Sequence, residues 1–189
     1  SNSFRDFCSR VFKAPTLKVS RADVFEAASQ SFFDGLFTLI LWGYPRNMRG
    51  NTVQGILETE TLKSIRSAFA SDRELSKDRL QSLCKQLAGT GIGFSTLTKI
   101  LYFFRFSVES APCLIFDKRI VEVCNAQRFS ELLALAKITD FNKCDKYYDY
   151  LVAMREIAEA NGYKPDQLEL FLFQFGNNLK PVNVSGSLV

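Results

Sequence analysis

The 189-residue chain contains no histidine. That absence removes Ser-His and Cys-His nucleophile pairs and imidazole-ligated metal sites together, so any chemistry must be carried by Asp, Glu, Lys, Tyr or Cys. Two stretches place such residues where chemistry could be done. GTGIGFST, Gly89 to Thr96, sets three glycines ahead of Ser95 and Thr96, with Lys99 one helical turn past Ser95. APCLIFD, Ala111 to Asp117, is an apolar run that ends on a carboxylate directly before KRIVEVCNA, which returns to helical spacing.

Each stretch carries two readings. Glycine at Gly91 and Gly93 permits positive φ and leaves backbone N–H groups bare at a helix N-terminus, where they can hold a phosphate; a grip on a DNA backbone is the functional reading. The plainer one is that Gly89 ends a helix and the remainder is an interhelical turn. No Lys-Ser/Thr follows to make a Walker A loop, and a helix rather than a strand precedes, so it is not a dinucleotide fingerprint. Asp117 alone reads as a helix N-cap. Its position after the hairpin and the next helix gives it a second reading, because the chain can fold back to bring the carboxylate toward Ser95.

The elements that must position these residues read as a succession of helices. Ser20 with Asp23 forms a capping-box-like start to a first long helix from near Arg21, with a break expected around Asp34-Gly35. WGYPRNMRGN, Trp42 to Asn51, is a loop by its Gly, Pro and Asn content. Ile56 to Phe69 and Lys77 to Ala88 read as amphipathic helices, the second capped by Ser76. Past the glycines, Leu97, Ile100, Leu101 and Phe104 form an apolar stripe, with Ser95, Lys99 and Tyr102 on the opposite face. Ser130 and Asn142 are expected caps of two further helices, the latter ending at Gly162, and Pro165 opens a last one. The fold class is all-α, one domain over residues 3–176 with the hairpin 89–93 inside it and a tail from 177.

Composition agrees with a globular protein: 47% apolar and 23% charged, with 18 Phe filling the core. Five scattered cysteines form no CxxC pair, which suits free thiols in a reducing, intracellular setting. No Cys follows Cys144, so a C-terminal four-Cys iron–sulfur loop cannot be built. Cys113 and Cys124 read as small buried hydrophobes. Leu36 to Trp42 is far too short to span a bilayer. The net charge of +4 permits a nucleic-acid partner without demanding one.

LAGTGIGFSTLTKILYFF followed by APCLIFDKRI resembles the core of the helix-hairpin-helix DNA glycosylase superfamily, nearest its 8-oxoguanine DNA glycosylase-like branch, over about Gln81 to Val123. The resemblance implies a two-lobed helical fold with the site in the cleft between the lobes. It implies a monomer acting on double-stranded DNA that carries a damaged or modified base, in the cytoplasm or nucleoid. Gly89, Gly91, Gly93, Ser95 and Thr96 would hold the DNA backbone, with Na+ or K+ on hairpin carbonyls and no other cofactor. Asp117 would match the catalytic carboxylate. Bifunctional relatives carry a nucleophilic Lys two residues past the second hairpin glycine; that position is Ser95 here, which argues for water as nucleophile. Lys99, one turn on, is an alternative amine, although it reads more readily as a phosphate contact or solvated charge. Glu169 and Phe173, with Trp42 and Tyr44, would line the base pocket, and Arg46, Asn47 and Arg49 would fill the gap left by the base or bind phosphates; read from the residues alone, the last helix is more simply core at helical spacing and the Arg-containing stretch equally a solvated basic loop. The alternatives to a monofunctional glycosylase are a non-catalytic helix-hairpin-helix DNA-binding module and a bifunctional enzyme using Lys99.

Overall fold

The computed structural model describes residues 2–13, 17–44, 52–70, 72–87 and 90–179. Helices dominate, as expected of an all-α chain. By backbone proximity they divide into two compact units, Ser1–Ile115 and Phe116–Val189.

The first unit holds α1 (Asn2–Val11), α2 (Arg21–Gln30), α3 (Phe32–Gly43), α4 (Thr52–Leu57), α5 (Thr59–Ala68), α6 (Lys77–Leu87) and α7 (Phe94–Phe103). It also holds three two-residue strands, β1 (Glu74–Leu75), β2 (Ser107–Val108) and β3 (Ala111–Pro112), which sequence periodicity misses because two residues carry no alternation. β2 lies between β1, parallel, and β3, antiparallel. The capping box at Ser20 and Asp23 forms, and Ser76 accepts from the Arg79 amide at 3.2 Å.

Two expected boundaries move. The first long helix breaks at Ser31, whose extended backbone ends α2 and whose hydroxyl caps α3 through Asp34, rather than at Asp34-Gly35. Gly35 is instead a packing residue. A β-carbon there would lie 2.6 Å from the Ala28 Cα and 2.8 Å from the Phe104 ring, so glycine lets these segments close on one another. The helix expected over Ile56 to Phe69 is interrupted at Glu58, extended at ψ 139°.

α7 is the spine of this unit. The expected polar face is absent: every residue from Thr96 to Phe103 is buried. Phe103 meets Trp42 and Phe25 edge-on at 5.1 and 4.9 Å, and Tyr102 meets Phe25 at 5.1 Å. Ring pairs of this geometry add about 0.5–1.5 kcal/mol each beyond their area burial, which fixes α7 in place.

The second unit is built from α8 (Lys118–Asn125), a 3-10 turn (Ser130–Leu135), α9 (Lys143–Ala160) and α10 (Pro165–Phe175). The Phe116 ring packs at a tilt against Tyr150 and Tyr147 of α9 at 4.6 and 5.8 Å and anchors the chain just ahead of Asp117. At Gly176 a β-carbon would stand 2.7 Å from a Val123 methyl, so glycine allows the end of α10 to close on α8. Two expected caps act differently. Ser130 opens only the 3-10 turn, and the Asn142 side chain braces its preceding loop by accepting from Thr139 and donating to Lys137. α9 ends where expected, with Gly162 at φ +71°.

Cys8, Cys113 and Cys124 are free. Cys84 and Cys144 are disulfide-bonded, which corrects the expectation of five free thiols. Burial pushes the Cys124 thiol up to about 12, so it stays protonated and packs as a small hydrophobe.

Candidate functional site

The hairpin begins where α6 ends. Thr90 closes that helix by donating its N–H and its hydroxyl to the Leu87 carbonyl at 3.1 and 2.8 Å. Gly91 then takes φ +83°, a conformation that only glycine enters without strain. Gly93 does not. Its φ of −72° and ψ of 164° are open to any residue, which corrects the expectation of positive φ there. The contribution of Gly93 is the side chain it lacks: it stands at the N-cap of α7, no side chain caps that helix, and a β-carbon would meet nothing within 4 Å. The Gly93 carbonyl accepts from Thr96 and Leu97 at 2.9 and 3.0 Å. The N–H groups of Gly91, Gly93 and Ser95, and the Ser95 hydroxyl, find no acceptor among the described residues. These bare donors at the positive end of a helix suit an anion.

One turn further along α7 a second group gathers. Tyr44 and Thr96 share a hydrogen bond of 2.6 Å between hydroxyls, and Thr96 is 2% exposed. Thr96 therefore orients Tyr44 instead of facing solvent as a phosphate contact would. The Lys99 ammonium lies 5.6 Å from the Tyr44 ring centroid and 6.0 Å from that of Trp42. At 8% exposure Lys99 is not the solvated charge allowed by sequence. The Arg21 guanidinium approaches Trp42 at 5.7 Å and Tyr102 at 5.4 Å. Trp42, Tyr44, Thr96 and Lys99 are thus brought together in the first unit, with Arg21 as a member that sequence reasoning missed.

In the second unit Asp117 is the N-cap of α8. Its Oδ1 accepts from the amides of Arg119 and Ile120 at 2.9 and 3.2 Å. Its Oδ2 takes no hydrogen bond among the described residues, and the side chain is half-buried. One carboxylate oxygen is engaged in the cap, and the other is not. The capping and functional readings of Asp117 are therefore compatible.

Phe173 lies half-buried on α10, and Glu169, one turn before it, is fully buried. The Arg119 guanidinium sits 5.0 Å from the Phe173 ring centroid, and an Arg119 N–H points to the Phe173 carbonyl at 3.5 Å. Asp117 and Phe173, selected separately from sequence, are linked within one unit by a residue that was not selected. Nothing in the sequence marks Arg119, because an arginine in the first turn of an amphipathic helix looks like any surface charge. Gly89, Arg46, Asn47 and Arg49 lie outside the described residues. Among the described residues no group of three or more Cys, Asp or Glu is placed to hold a metal ion, and no helix is long and apolar enough to cross a membrane.

The model of a protein family described as "Putative 8-oxoguanine DNA glycosylase OGG-like protein" matches residues 3–173, and the chain belongs to that family. No curated protein and no solved structure matches.

Proposed function

We propose that this member of the glycosylase family is a monofunctional DNA N-glycosylase that flips a damaged or modified base out of the duplex and hydrolyses its glycosidic bond with the help of Asp117. The observation that carries the reading is the divided carboxylate: Oδ1 fixed by two amides and Oδ2 unclaimed. Breaking the N-glycosidic bond builds positive charge on the sugar, and a fixed carboxylate stabilises it. Water adds at C1′ and gives up a proton toward the carboxylate, while the base departs with the bonding electron pair. The bare amides of Gly91, Gly93 and Ser95 hold the DNA backbone. Carbonyls of Gly91 and Ile92 accept no hydrogen bond among the described residues, so they suit a Na+ or K+ ion, which when bound adds positive charge beside a phosphate. Within the second unit the half-buried Phe173 contacts the extruded base, whereas the fully buried Glu169 is closed off from it.

Ser95 at the position of the lyase lysine supports water as the nucleophile. The buried Lys99 amine is the competing one, and a borohydride-trapped enzyme–DNA adduct lost in Lys99→Ala would establish the bifunctional reading instead. The primary test is a panel of end-labelled duplexes, each carrying one oxidised, alkylated, mismatched or hypermodified base. Incubation followed by alkali is expected to break the strand at one base class. Salt-sensitive binding with no base release from any duplex would leave the non-catalytic DNA-binding module, in which Asp117 is a cap alone.

A further inference from the structure

Arg119 is exposed, follows Asp117 by two residues, and has no carboxylate partner among the described residues. Its two ends are held differently. The backbone N–H is fixed at 2.9 Å on Asp117 Oδ1, whereas the guanidinium rests on the Phe173 ring at 5.0 Å with a single marginal hydrogen bond of 3.5 Å to the carbonyl of the same residue. The backbone tie belongs to the start of α8 and survives any change of side-chain rotamer. The guanidinium can therefore leave the ring without disturbing the carboxylate.

A guanidinium over a ring face is a planar π-cation in the place where another planar π-system could stack. An exposed arginine in a DNA-acting protein, with no acid to hold it, would otherwise be free to reach a phosphate. On the face of Phe173 it keeps an apolar ring covered while no base is present.

Resting on the glycosylase reading above, we infer that Arg119 is a specificity-determining place-holder: its guanidinium occupies the face of Phe173 on which the extruded base stacks, and a base enters only by displacing it. The selection this exerts is for extended, strongly stacking bases. A small pyrimidine gains less on the ring than a purine-sized base, and so is less able to offset the lost guanidinium contact. Arg119 does not touch the reacting atoms. It acts by setting the threshold for stable stacking beside Asp117.

The test separates stacking from charge. In an Asp117→Asn background, which prevents turnover, dissociation constants are measured for two duplexes that differ at one position, 8-oxoguanine in one and a tetrahydrofuran abasic analogue in the other. Loss of an arginine charge weakens both alike and cancels in their ratio. Arg119→Ala is expected to shift the ratio toward the base-containing duplex by about two- to fivefold, the range of an exposed cation–π contact. Arg119→Lys is expected to shift it less, and in Phe173→Ala the effect of Arg119→Ala is expected to vanish. An independent readout needs no DNA: the Arg119 Hε resonance is expected to lie upfield in the free protein and to return to its ordinary position in Phe173→Ala. A ratio that Arg119→Ala leaves unchanged or moves toward the abasic duplex overturns the proposal, as does an unshifted Hε. A shifted ratio with no base release by the Asp117 protein would sink the glycosylase reading and leave the stacking competition standing. Base release with an unmoved ratio does the reverse.

Discussion

The helices α7 and α8 begin in the same way and finish the job differently. Both N-caps are extended, Gly93 at φ −72° and ψ 164° and Asp117 at φ −98° and ψ −179°. At α8 the cap is a carboxylate that takes up two of the orphan amides; at α7 the cap has no side chain, and the amides of Gly93 and Ser95 find no acceptor among the described residues. A helix start with open amides attracts an anion from outside. A helix start that carries its own anion instead holds a charged group in a fixed pose. The contrast fits the proposal that the first holds DNA backbone and the second stabilises charge on the sugar.

The contrast can be broken from either side. The largest effect is expected from Asp117→Ala, which removes both charge and cap: base release should fall by about 10²- to 10⁴-fold and unfolding free energy by about 1 kcal/mol, read by single-turnover kinetics and by urea melts. Making α7 resemble α8 comes next. Space around Gly93 is open, so Gly93→Asp should fold, cap the helix and preserve or raise Tm, while DNA affinity falls on the order of tenfold as the amides lose their phosphate. Gly176→Ala drives a methyl against Val123 and should cost about 1–3 kcal/mol in the same melts, with base release falling as Phe173 shifts. Gly91→Ala is expected to cost about 1 kcal/mol through its positive φ, with DNA binding weakened in parallel.

The smallest effect concerns pH and the scaffold alone. Hydrogen bonds from the Ser20 backbone and hydroxyl lower the Asp23 carboxyl below its ordinary value. A folded pKa below the unfolded one means the stabilisation is full above the unfolded value and is lost as pH falls through the lowered folded one. Thermal melts of Ser20→Ala should therefore lose part of the acid-limb slope seen in the parent protein.

What the sequence could tell about these residues followed from how local each determinant is. The caps at Ser20 and Ser76, the turn at Gly91 and the carboxylate before α8 are decided by neighbours three or four residues away, and they were legible. Gly35 was misread as a break because its reason is Ala28 and Phe104, and the latter lies far along the chain. The burial of Lys99 was equally hidden: a lysine at a polar helical position looks solvated until Trp42 and Tyr44 close over it. Arg119 had no sequence mark, since its meaning comes from Phe173, more than fifty residues later on another helix. Side-chain types and local turns thus revealed the carboxylate before α8 and the hairpin, while the surroundings of both are tertiary.

The central claim is that the charge of Asp117, and not its cap, does chemistry. Asparagine caps a helix as well as aspartate does, so Asp117→Asn separates the two. Single-turnover base release and duplex affinity should be measured on the same labelled duplex, chosen from the panel as the one the parent protein cleaves. The account predicts loss of base release by about 10²-fold or more with affinity and Tm nearly unchanged. Undiminished base release by Asp117→Asn would contradict it and return Asp117 to the role of a cap.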